Sequence, residues 1–348
     1  MSKRIVSMLL GLAAAGSLFY ANAQVVHKPK NGKKYQIVTV VKLEGVAWFD
    51  NMRLGVQKFN ADYGKEVDAY QVGANTADPA AQVALINDLI AKGVDAIVVV
   101  PNDPAALVPA FKKANDAGIL TFTHESSGQK QVSFDLEAFD NDQYGRHMMD
   151  VMAADIGAKG LWQPFVGHLT APTHNQWVDG EVAQAKAKYP NLKMATDRLE
   201  EREDQQVAYE KSLELFTTYP ELKAIMGSAM STVPGAAQAI TEKGLVGQVA
   251  AYGTCLPSVA GDYIKSGAVK SIHFWVPADA GYATSLVALM TLKGQAVANG
   301  TDLKVPGYKK IMIKKNDAGN PVVYGQAWVD VNKDNLKDWM LPTGKYKL

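Results

Sequence analysis

The stretch Val38-Thr-Val-Val-Lys-Leu-Glu-Gly-Val-Ala-Trp-Phe-Asp-Asn-Met52 runs from an apolar strand, through a loop with a lysine, a glycine and two adjacent aromatic residues, to the start of a helix. In an open α/β sheet, ligands bind outside the carboxyl ends of the strands, where such loops gather. Aromatic rings beside a charged donor suit a small polyhydroxylated ligand, because the rings cover its C–H faces and the polar groups bind its hydroxyls. The alternative is that Trp48 and Phe49 only pack against the core, as aromatic residues usually do.

Outward from this stretch, apolar strands alternate with amphipathic helices. The first half of the chain predicts strands at 36–41, 67–71, 96–100 and 119–123, with helices near 52–63 and after Asp78 and Asp103. In the second of these helices Asp78 is the expected N-cap and Pro79 takes the first helical position, followed by apolar residues at helical spacing. The run Ala96–Val100 is apolar throughout, as expected of a parallel strand buried on both faces. This order predicts a doubly wound parallel sheet.

The same alternation continues to the tail. Helices are predicted near 141–156, 175–189, 204–219, 233–243, 257–265 and 279–293, and strands near 161–166, 193–199, 224–227, 249–252 and 269–275. The tail predicts two further strands, 309–315 and 321–324, joined by a turn-rich segment. Two successive units of similar size predict an α/β fold with two Rossmann-like lobes on parallel sheets and a cleft between them.

The first 23 residues predict a cleaved signal peptide. Lys3 and Arg4 precede a short apolar run, and Ala21-Asn-Ala23 has the small-residue pattern of a cleavage site. The apolar run is too short for a membrane anchor. The single cysteine, Cys255, lies far from this site, so we expect an exported chain without a lipid anchor.

The charge of the chain is nearly balanced. Removal of residues 1–23 takes away two basic residues and no acidic one, which changes the formal net charge from +1 to −1. Such a chain offers no electrostatic footprint for nucleic acid or an anionic membrane. One cysteine cannot form an internal disulfide, so the fold depends on its core, and the length predicts two domains.

Several segments carry a resemblance to a known family. The segments are Trp48-Phe49, the run 82–97 with its paired Leu and Ile residues, and Pro101-Asn-Asp-Pro104. With the exported chain and two α/β lobes, they resemble the periplasmic sugar-binding proteins of ABC importers, of the ribose-binding type. Within that family the chain most resembles the autoinducer-2 and rhamnose receptor branch, through Lys42-Leu-x-Gly45-Val and the segments 175–178, 234–239 and 332–335. The resemblance covers essentially the whole mature chain.

The resemblance implies a type I periplasmic binding protein fold with three crossovers between the lobes. The N-terminal lobe would comprise residues 25–139 and 277–310, and the C-terminal lobe residues 140–276 and 311–348. The ligand would be a small neutral sugar, deoxysugar or polyol, bound in the cleft by hinge closure. The expected protein is a periplasmic monomer whose partners are ABC permease subunits, and a chemoreceptor or sensor kinase stays open as a further partner.

In the first lobe, the resemblance and the strand-end positions indicate a group of ligand-binding residues. Lys42 matches a ligand-contacting lysine of the autoinducer-2 receptors, and a solvated lysine is the alternative. His124 and Glu125 could replace the donor and acceptor of other sugar binders, and a structural His–Glu pair is the alternative. Asp103 is a helix cap rather than a ligand group. The full set in this lobe is Lys42, Trp48, Phe49, Asn102, Thr123, His124 and Glu125.

In the second lobe, the expected residues follow the corresponding strands. Thr173-His174 stands where the autoinducer-2 receptors carry an acidic residue and a glutamine, a departure that argues against autoinducer-2 itself. Asn175 is either a ligand contact or the N-cap of the next helix. Trp275 is expected in the third crossover, as a wall of the site or as hinge packing. The full set in this lobe is His174, Asn175, Ser228, Met230, Thr254 and Trp275.

No catalytic or metal-binding motif competes with this prediction. The sequence has no G-x-S-x-G elbow, no P-loop and no G-x-G-x-x-G run, and no two histidines have zinc-like spacing. We therefore expect neither a cofactor nor a metal, and no enzymatic activity. The alternatives are an autoinducer-2-type receptor, an exported enzyme on a sugar-like ligand, and a two-lobed repressor. The signal peptide and the missing helix-turn-helix argue against the repressor.

Overall fold

The structure is a computed structural model that describes residues 25–340. The predicted signal peptide, residues 1–23, and the tail from residue 341 lie outside the described residues. Two seven-stranded sheets flanked by helices form two lobes. This arrangement confirms the predicted α/β fold with two parallel-sheet lobes.

The first lobe begins with regular strand–helix alternation. Its elements are β1 Tyr35–Val41, α1 Ala47–Tyr63, β2 Val67–Gly73, α2 Pro79–Lys92, β3 Ala96–Val99, α3 Pro104–Asp116, β4 Leu120–His124 and β5 Phe134–Glu137. Asp78 caps α2 as predicted, because its side chain accepts hydrogen bonds from the backbone N–H groups of Ala80 and Ala81. Every residue of β3 is buried, as expected for a strand covered on both faces.

The second lobe repeats the pattern. Its elements are α4 Asn141–Ile156, β6 Gly160–Val166, α5 Pro172–Lys188, β7 Leu192–Met194, β8 Leu199–Glu200, α6 Gln205–Thr218, β9 Leu222–Gly227, α7 Thr232–Glu242, β10 Ala250–Thr254, α8 Pro257–Ser266 and β11 Val269–Phe274. The single strand predicted at 193–199 is two short strands, β7 and β8, which both pair with β6.

The chain then crosses between the lobes twice more. The remaining elements are α9 Pro277–Leu292, β12 Met312–Lys315, β13 Pro321–Tyr324, β14 Val329–Asn332 and α10 Leu336–Met340. The first sheet has the order β12-β13-β5-β4-β3-β1-β2, and the second has the order β14-β11-β10-β9-β6-β7. Only β12 and β14, at the sheet edges, are antiparallel to their neighbours. The three predicted crossovers are therefore present, after β5, β11 and β13.

The predicted lobe boundary at residue 310 is wrong. Strand β13 pairs in parallel with β5 of the first sheet, and β12 pairs with β13, so residues 312–324 belong to the first lobe. Val322 and Val323 are buried there and extend the apolar core past β5. The chain returns to the second lobe only at β14, which pairs with β11. Strands β5 and β14 themselves were absent from the sequence prediction.

Two helices begin earlier than the sequence pattern indicates. Helix α1 begins at Ala47, so Trp48 and Phe49 lie in its first turn and not in a loop. Helix α5 begins at Pro172, which takes the first helical position after Ala171. Asn175 therefore lies inside the first turn of α5 and is not its N-cap.

Close packing between α1 and α9 fixes the second crossover beside the first helix. A Cβ at Gly55 of α1 would collide with the backbone of Ala278. The side chain Oδ1 of Asn51 accepts a hydrogen bond from the backbone N–H of Ala278 at 3.0 Å. This contact holds the start of α9, and with it Trp275 just before it, against the first turn of α1. Trp275 lies between β11 and α9, so it is in the second crossover and not, as predicted, in the third.

Candidate functional site

A small cavity, about 50 Å³ in volume, lies between the two lobes. The first lobe contributes residues after β1 and β4 and in the first turn of α1. The second contributes residues near the ends of β8, β9 and β10, the start of α5 and the crossover after β11. These positions lie at the carboxyl ends of parallel strands, which is the edge where open α/β sheets bind ligands.

Lys42 is the centre of a buried charged group in this cavity. Its Nζ lies 3.2 Å from Oε2 of Glu125 in the same lobe and 3.2 Å from Oε1 of Glu203 in the other lobe. The three side chains are 5%, 5% and 12% exposed. One ammonium faces two carboxyl groups, so acceptors outnumber charged donors. Such a group favours a ligand that donates hydrogen bonds, as hydroxyls do, over an anion.

The protonation states of this group follow from burial and from the ion pairs. Burial alone would lower the pKa of Lys42, but Glu203 and Glu125 outweigh it and raise the pKa above its usual value. Burial alone would raise the pKa of Glu203, but Lys42 and His174 lower it below its usual value. Burial and the charge of Lys42 lower the pKa of His174 to about 3, so this imidazole is uncharged at neutral pH.

Both carboxylate residues have a left-handed backbone conformation. The φ angles of Glu125 and Glu203 are 61° and 58°. Non-glycine residues rarely adopt this conformation, which costs on the order of 1–3 kcal/mol, and such residues concentrate at ligand sites. Here the conformation brings two carboxylates from different lobes onto the same ammonium group.

Gly167, just after β6, makes room for the part of the site in the second lobe. A Cβ at this position would lie 2.5 Å from Oε1 of Glu203 and 3.1 Å from Cε1 of His174. The backbone N–H of Gly167 donates to Nδ1 of His174 at 3.2 Å. Because Nδ1 accepts this bond, the proton of the neutral ring is on Nε2, and His174 offers one N–H donor.

Three tryptophans from separate parts of the chain pack together at the cavity. The ring centroids of Trp48 and Trp275 are 4.7 Å apart at an interplanar angle of 80°, and those of Trp275 and Trp177 are 5.8 Å apart at 74°. Such edge-to-face pairs are favourable and hold the rings in place. The indole N–H of Trp177 donates to Oδ1 of Asn141 at 2.8 Å. That of Trp275 is buried without a partner among residues 25–340, so it is an available donor for a ligand.

The lobes also contact each other directly beside the cavity. Ser127 of the first lobe and Gln176 of the second are joined by hydrogen bonds of 3.0 and 3.2 Å. The side chain of Asn141, at the first crossover, donates to Gln176 at 2.8 Å. Together with the pair between Lys42 and Glu203, these contacts define a closed arrangement, and ligand entry requires the lobes to separate.

Most of the predicted site residues line this cavity. They come from both lobes and from the second crossover, which the sequence separates by more than 200 positions. The predicted residues that line it are Lys42, Trp48, Phe49, Glu125, His174, Ser228, Met230, Thr254 and Trp275.

Asn102 and Thr123 do not line the cavity. The side chain of Asn102 donates to the backbone oxygen of Lys42 at 3.2 Å, and its backbone N–H donates to Oε1 of Gln82 at 3.0 Å. Asn102 therefore holds the loop that carries Lys42. Thr123 donates through Oγ1 to Oδ1 of Asp135 at 2.6 Å, within the first lobe. Both side chains therefore support the framework in this arrangement of the lobes, and neither reaches the cavity.

His124 and Asn175 also lie outside the cavity lining. His124 donates through Nδ1 to the backbone oxygen of Leu136 at 2.6 Å and packs edge-on against Trp275, with centroids 5.8 Å apart. It therefore supports the aromatic wall from behind. The side chain of Asn175 donates to the backbone oxygen of Ala171 at 2.7 Å and accepts from Arg198 at 2.8 Å, so it stabilises the start of α5.

The sequence prediction missed Glu203, Trp177 and Ser231, which line the cavity. The segment 198–204 is mixed in sign and was predicted to be a solvated connection. That prediction is wrong for Glu201 and Glu203: Glu201 is fully buried, and its carboxyl group accepts hydrogen bonds from Ser231 at 2.8 Å and from the backbone N–H of Asp204 at 2.8 Å. Trp177 belonged to a segment that carried the family resemblance, which was the available signal for it.

A larger depression of about 660 Å³ lies on the outside of the first lobe, where residues near the N-terminus meet the end of α9 and the hairpin of β12 and β13. Its lining lacks the combination of a buried charged group and aromatic rings that the inter-lobe cavity has. The inter-lobe cavity is therefore the candidate site. Within residues 25–340, no helix combines the length and apolar character needed to cross a bilayer.

Comparison with known proteins assigns the family. The sequence matches the family described as periplasmic binding protein domain over residues 37–296, well over half of the chain. The chain belongs to this family, which confirms the predicted resemblance. A curated relative, the D-ribose/D-allose-binding protein of Pseudomonas aeruginosa, is 24% identical over 309 residues, covering 86% of this chain and 94% of the relative. The chain accordingly groups with binding proteins of transport systems and not with enzymes.

Solved structures support the fold. LsrB from Clostridium saccharobutylicum in complex with AI-2 superposes with a TM-score of 0.79 at 22% identity, covering 87% of this chain and 99% of that one. A solute-binding protein of an ABC transporter from Clostridium phytofermentas with bound L-rhamnose also has a TM-score of 0.79 at 22% identity, covering 88% and 98%. At this identity the likeness concerns the fold.

Proposed function

We propose that this chain is a periplasmic solute-binding protein that captures a small neutral sugar, deoxysugar or polyol between its lobes and delivers it to an ABC permease. The observation that carries the proposal is the inter-lobe cavity, where one ammonium and two carboxylates lie beside packed tryptophans. The family and the relatives that bind ribose, allose and rhamnose support a sugar-like ligand.

The lining supplies the two kinds of contact that a polyhydroxylated ligand needs. Glu125 and Glu203 accept hydrogen bonds from hydroxyl groups, and Lys42 and the indole N–H of Trp275 donate to hydroxyl oxygens. The ring of Trp48 offers apolar surface for C–H groups. A phosphorylated sugar would place an anion beside two carboxylates, which the site disfavours.

The size of the cavity limits the ligand. Its volume of about 50 Å³ is well below the roughly 300–1,000 Å³ that is typical of sites for drug-sized molecules. We infer that the lobes close slightly less far around a bound ligand, which would admit four to six carbons but not an oligosaccharide. We therefore propose a tetritol, pentose or 6-deoxyhexose as the ligand class.

Closure around the ligand would provide the signal that the permease recognises. The ion pair between Lys42 and Glu203 joins the lobes, so ligand hydroxyls that bridge the same groups favour the closed state. We propose that the protein acts as a monomer and that its signal peptide directs it to the periplasm.

An autoinducer-2-type receptor is the second candidate. It is favoured by the likeness to LsrB with bound AI-2 and by the position of Lys42 in the cavity. Thr173 weighs against it, because its hydroxyl lies 3.4 Å from Glu137 and the residue does not line the cavity.

A panel of ligands tests the proposal. The mature chain is incubated with pentoses, 6-deoxyhexoses, tetritols and autoinducer-2, and the melting temperature is measured for each. Binding of a pentose, 6-deoxyhexose or tetritol without chemical conversion on long incubation supports the proposal, and isothermal titration calorimetry then gives the affinity. Binding of autoinducer-2 alone supports the second candidate. Stabilisation by a sugar phosphate or a disaccharide alone, or formation of a product, would contradict it.

A further inference from the structure

Three potential metal ligands converge in the second lobe, outside the inter-lobe cavity. Nε2 of His147 lies 2.7 Å from Oδ2 of Asp330, and Nδ1 of His273 lies 2.7 Å from Oδ1 of the same carboxylate. One ligand atom from each of the three residues lies within 4.8 Å of the other two. His273 is fully buried, whereas His147 and Asp330 are 30% and 43% exposed, so water and ions reach the group from one side.

Two imidazoles and one carboxylate match the ligands that a divalent transition metal prefers. Zn²⁺ is commonly held by three such protein ligands at about 2.0–2.2 Å, with water in a fourth position. A tetrahedral arrangement at this radius separates the ligand atoms by roughly 3.4 Å. Two of the present separations are 2.7 Å and none exceeds 4.8 Å, so side-chain rotations that move the two histidines away from Asp330 would open a coordination site.

Neighbouring residues orient the two histidines, as the hydrogen-bond partners of metal ligands do in known metal sites. Nε2 of His273 lies 3.2 Å from Oγ of Ser271, and His273 is directly opposite Asp330 in the antiparallel pair of β11 and β14. The ring of His147 stacks on Trp328, with an interplanar angle of 10° and centroids 5.4 Å apart. Contacts of this kind fix the ring orientation of metal-binding histidines.

Metal binding here needs no net loss of protons from neutral histidines. Each ring nitrogen that faces Asp330 donates its N–H, because an ionised carboxylate only accepts. A shift to the other tautomer moves the proton of His273 to Nε2, where the hydroxyl of Ser271 can accept it. The lone pairs of both histidines then face the position between them and Asp330.

The location of the group gives it a mechanical role. His147 is in α4, which follows the first crossover, His273 is in β11, which precedes the second, and Asp330 is in β14, which follows the third. The group therefore joins the three chain segments at the points where they enter or leave the second lobe. An ion held there would fix the hinge segments relative to one another.

We propose that His147, His273 and Asp330 form a binding site for a single divalent transition-metal ion of the Zn²⁺ type at the base of the hinge. The sequence alone did not indicate this metal site, because the three residues are separated by 126 and 57 positions. This site is independent of the sugar-binding proposal, since none of its residues lines the inter-lobe cavity.

The test uses the mature chain without an affinity tag, after treatment with a chelator and its removal. Titration with ZnCl₂ by calorimetry should give one ion per chain, and Co²⁺ should give the visible absorption of a four-coordinate site. His147→Gln and Asp330→Asn should each weaken Zn²⁺ binding by at least about 100-fold. Ser271→Ala should weaken it by about tenfold, as loss of a second-sphere partner does.

The matched control is His168→Gln, which removes a histidine from a carboxylate pair, with Glu200, elsewhere in the second lobe. This variant should bind Zn²⁺ as the unchanged chain does. Zn²⁺ should raise the melting temperature of the unchanged chain and of the control, but not of His147→Gln. His147 is partly exposed, so its substitution should leave the chain folded, which circular dichroism checks. The proposal is overturned, and a purely hydrogen-bonded group remains, if the unchanged chain does not bind micromolar Zn²⁺ or if His147→Gln and Asp330→Asn bind Zn²⁺ as tightly as the unchanged chain.

Discussion

Replacement of Lys42 by methionine should destabilise the closed arrangement of the lobes and leave the stability of the open arrangement almost unchanged. Methionine keeps an unbranched side chain, one heavy atom shorter, and removes the charge. In the closed state Glu125 and Glu203 would then face each other across the lobes without the ammonium that each contacts at 3.2 Å. In the open state both carboxylates return to water, so their repulsion is relieved.

The structure sets the magnitude of this effect. At an effective dielectric constant of about 20, opposite unit charges 3.2 Å apart attract by about 5 kcal/mol before desolvation is counted. Loss of one partner of a buried ion pair typically costs about 3–5 kcal/mol, because a charge stays buried and unpaired. If the cost falls on closure, ligand affinity should decrease by roughly 100- to 4,000-fold.

The assay compares ligand binding with stability in the absence of ligand. Calorimetry with the best ligand of the panel gives the affinity, and thermal unfolding of the free protein gives its stability. The control is Lys112→Met, because Lys112 pairs with Asp116 at 2.7 Å on the exposed surface of α3, where such pairs contribute at most about 1 kcal/mol. Adding Glu203→Gln to Lys42→Met should restore part of the affinity, because it removes the repulsion.

Two outcomes would refute this reasoning. Normal affinity in Lys42→Met would mean that the ion pair takes no part in closure. A loss of stability in the free protein as large as the loss in binding would mean that the group holds the fold together and does not act as a closure contact.

Three further predictions follow from the site. Trp275→Phe keeps an aromatic ring but removes an unpartnered N–H donor, so ligand affinity should fall about tenfold with a smaller effect on the melting temperature. An unchanged affinity would mean that this N–H does not bind the ligand. Gly167→Ala should weaken ligand binding at least about tenfold in a protein that still folds, because the added Cβ displaces the Glu203 carboxylate. Calorimetry measures the affinity and circular dichroism checks the fold; normal binding would contradict the tight contact. The pKa of Glu203 is below its ordinary value of 4.5, so its ion pair with Lys42 should stabilise the closed state fully above pH 4.5 and lose this effect as the pH falls through the lowered pKa. Ligand affinity is measured from pH 7 to pH 3, and a constant affinity would mean that the ion pair does not stabilise the closed state.

Local signals predicted the framework well. Asp78 with Pro79 at the start of α2, and the continuous apolar run of β3, are decided by residues close in sequence, so they appear in the structure as predicted. Strands β5 and β14 are different, because charged or polar residues interrupt their apolar residues, so neither forms a continuous apolar run. The pairing of β13 with β5 depends on contacts nearly 190 positions apart, which a local pattern does not contain.

Site residues were predictable from the sequence where they directly follow a strand. Lys42 and Trp275 follow strands whose carboxyl ends meet at one edge, and both line the cavity. Glu203 was missed because a segment of mixed charge looks solvated, and only the left-handed turn and the space at Gly167 bury its carboxylate. Asn175 was misplaced because Pro172, a helix-starting residue, was not used to locate the beginning of α5.

The place of β13 in the first sheet has a consequence for biosynthesis. Phe134–Glu137 leaves the ribosome long before its neighbour Pro321–Tyr324, since most of the second lobe, from α4 to β11, and then α9 and β12 are translated between them. At about 5–20 residues per second, this delay is roughly 10–40 s. Throughout that interval β5 is an edge strand whose backbone N–H and C=O groups are unpaired on one side, and such an edge can pair with a strand of another chain. The first lobe is therefore completed only when nearly all of the polypeptide is present.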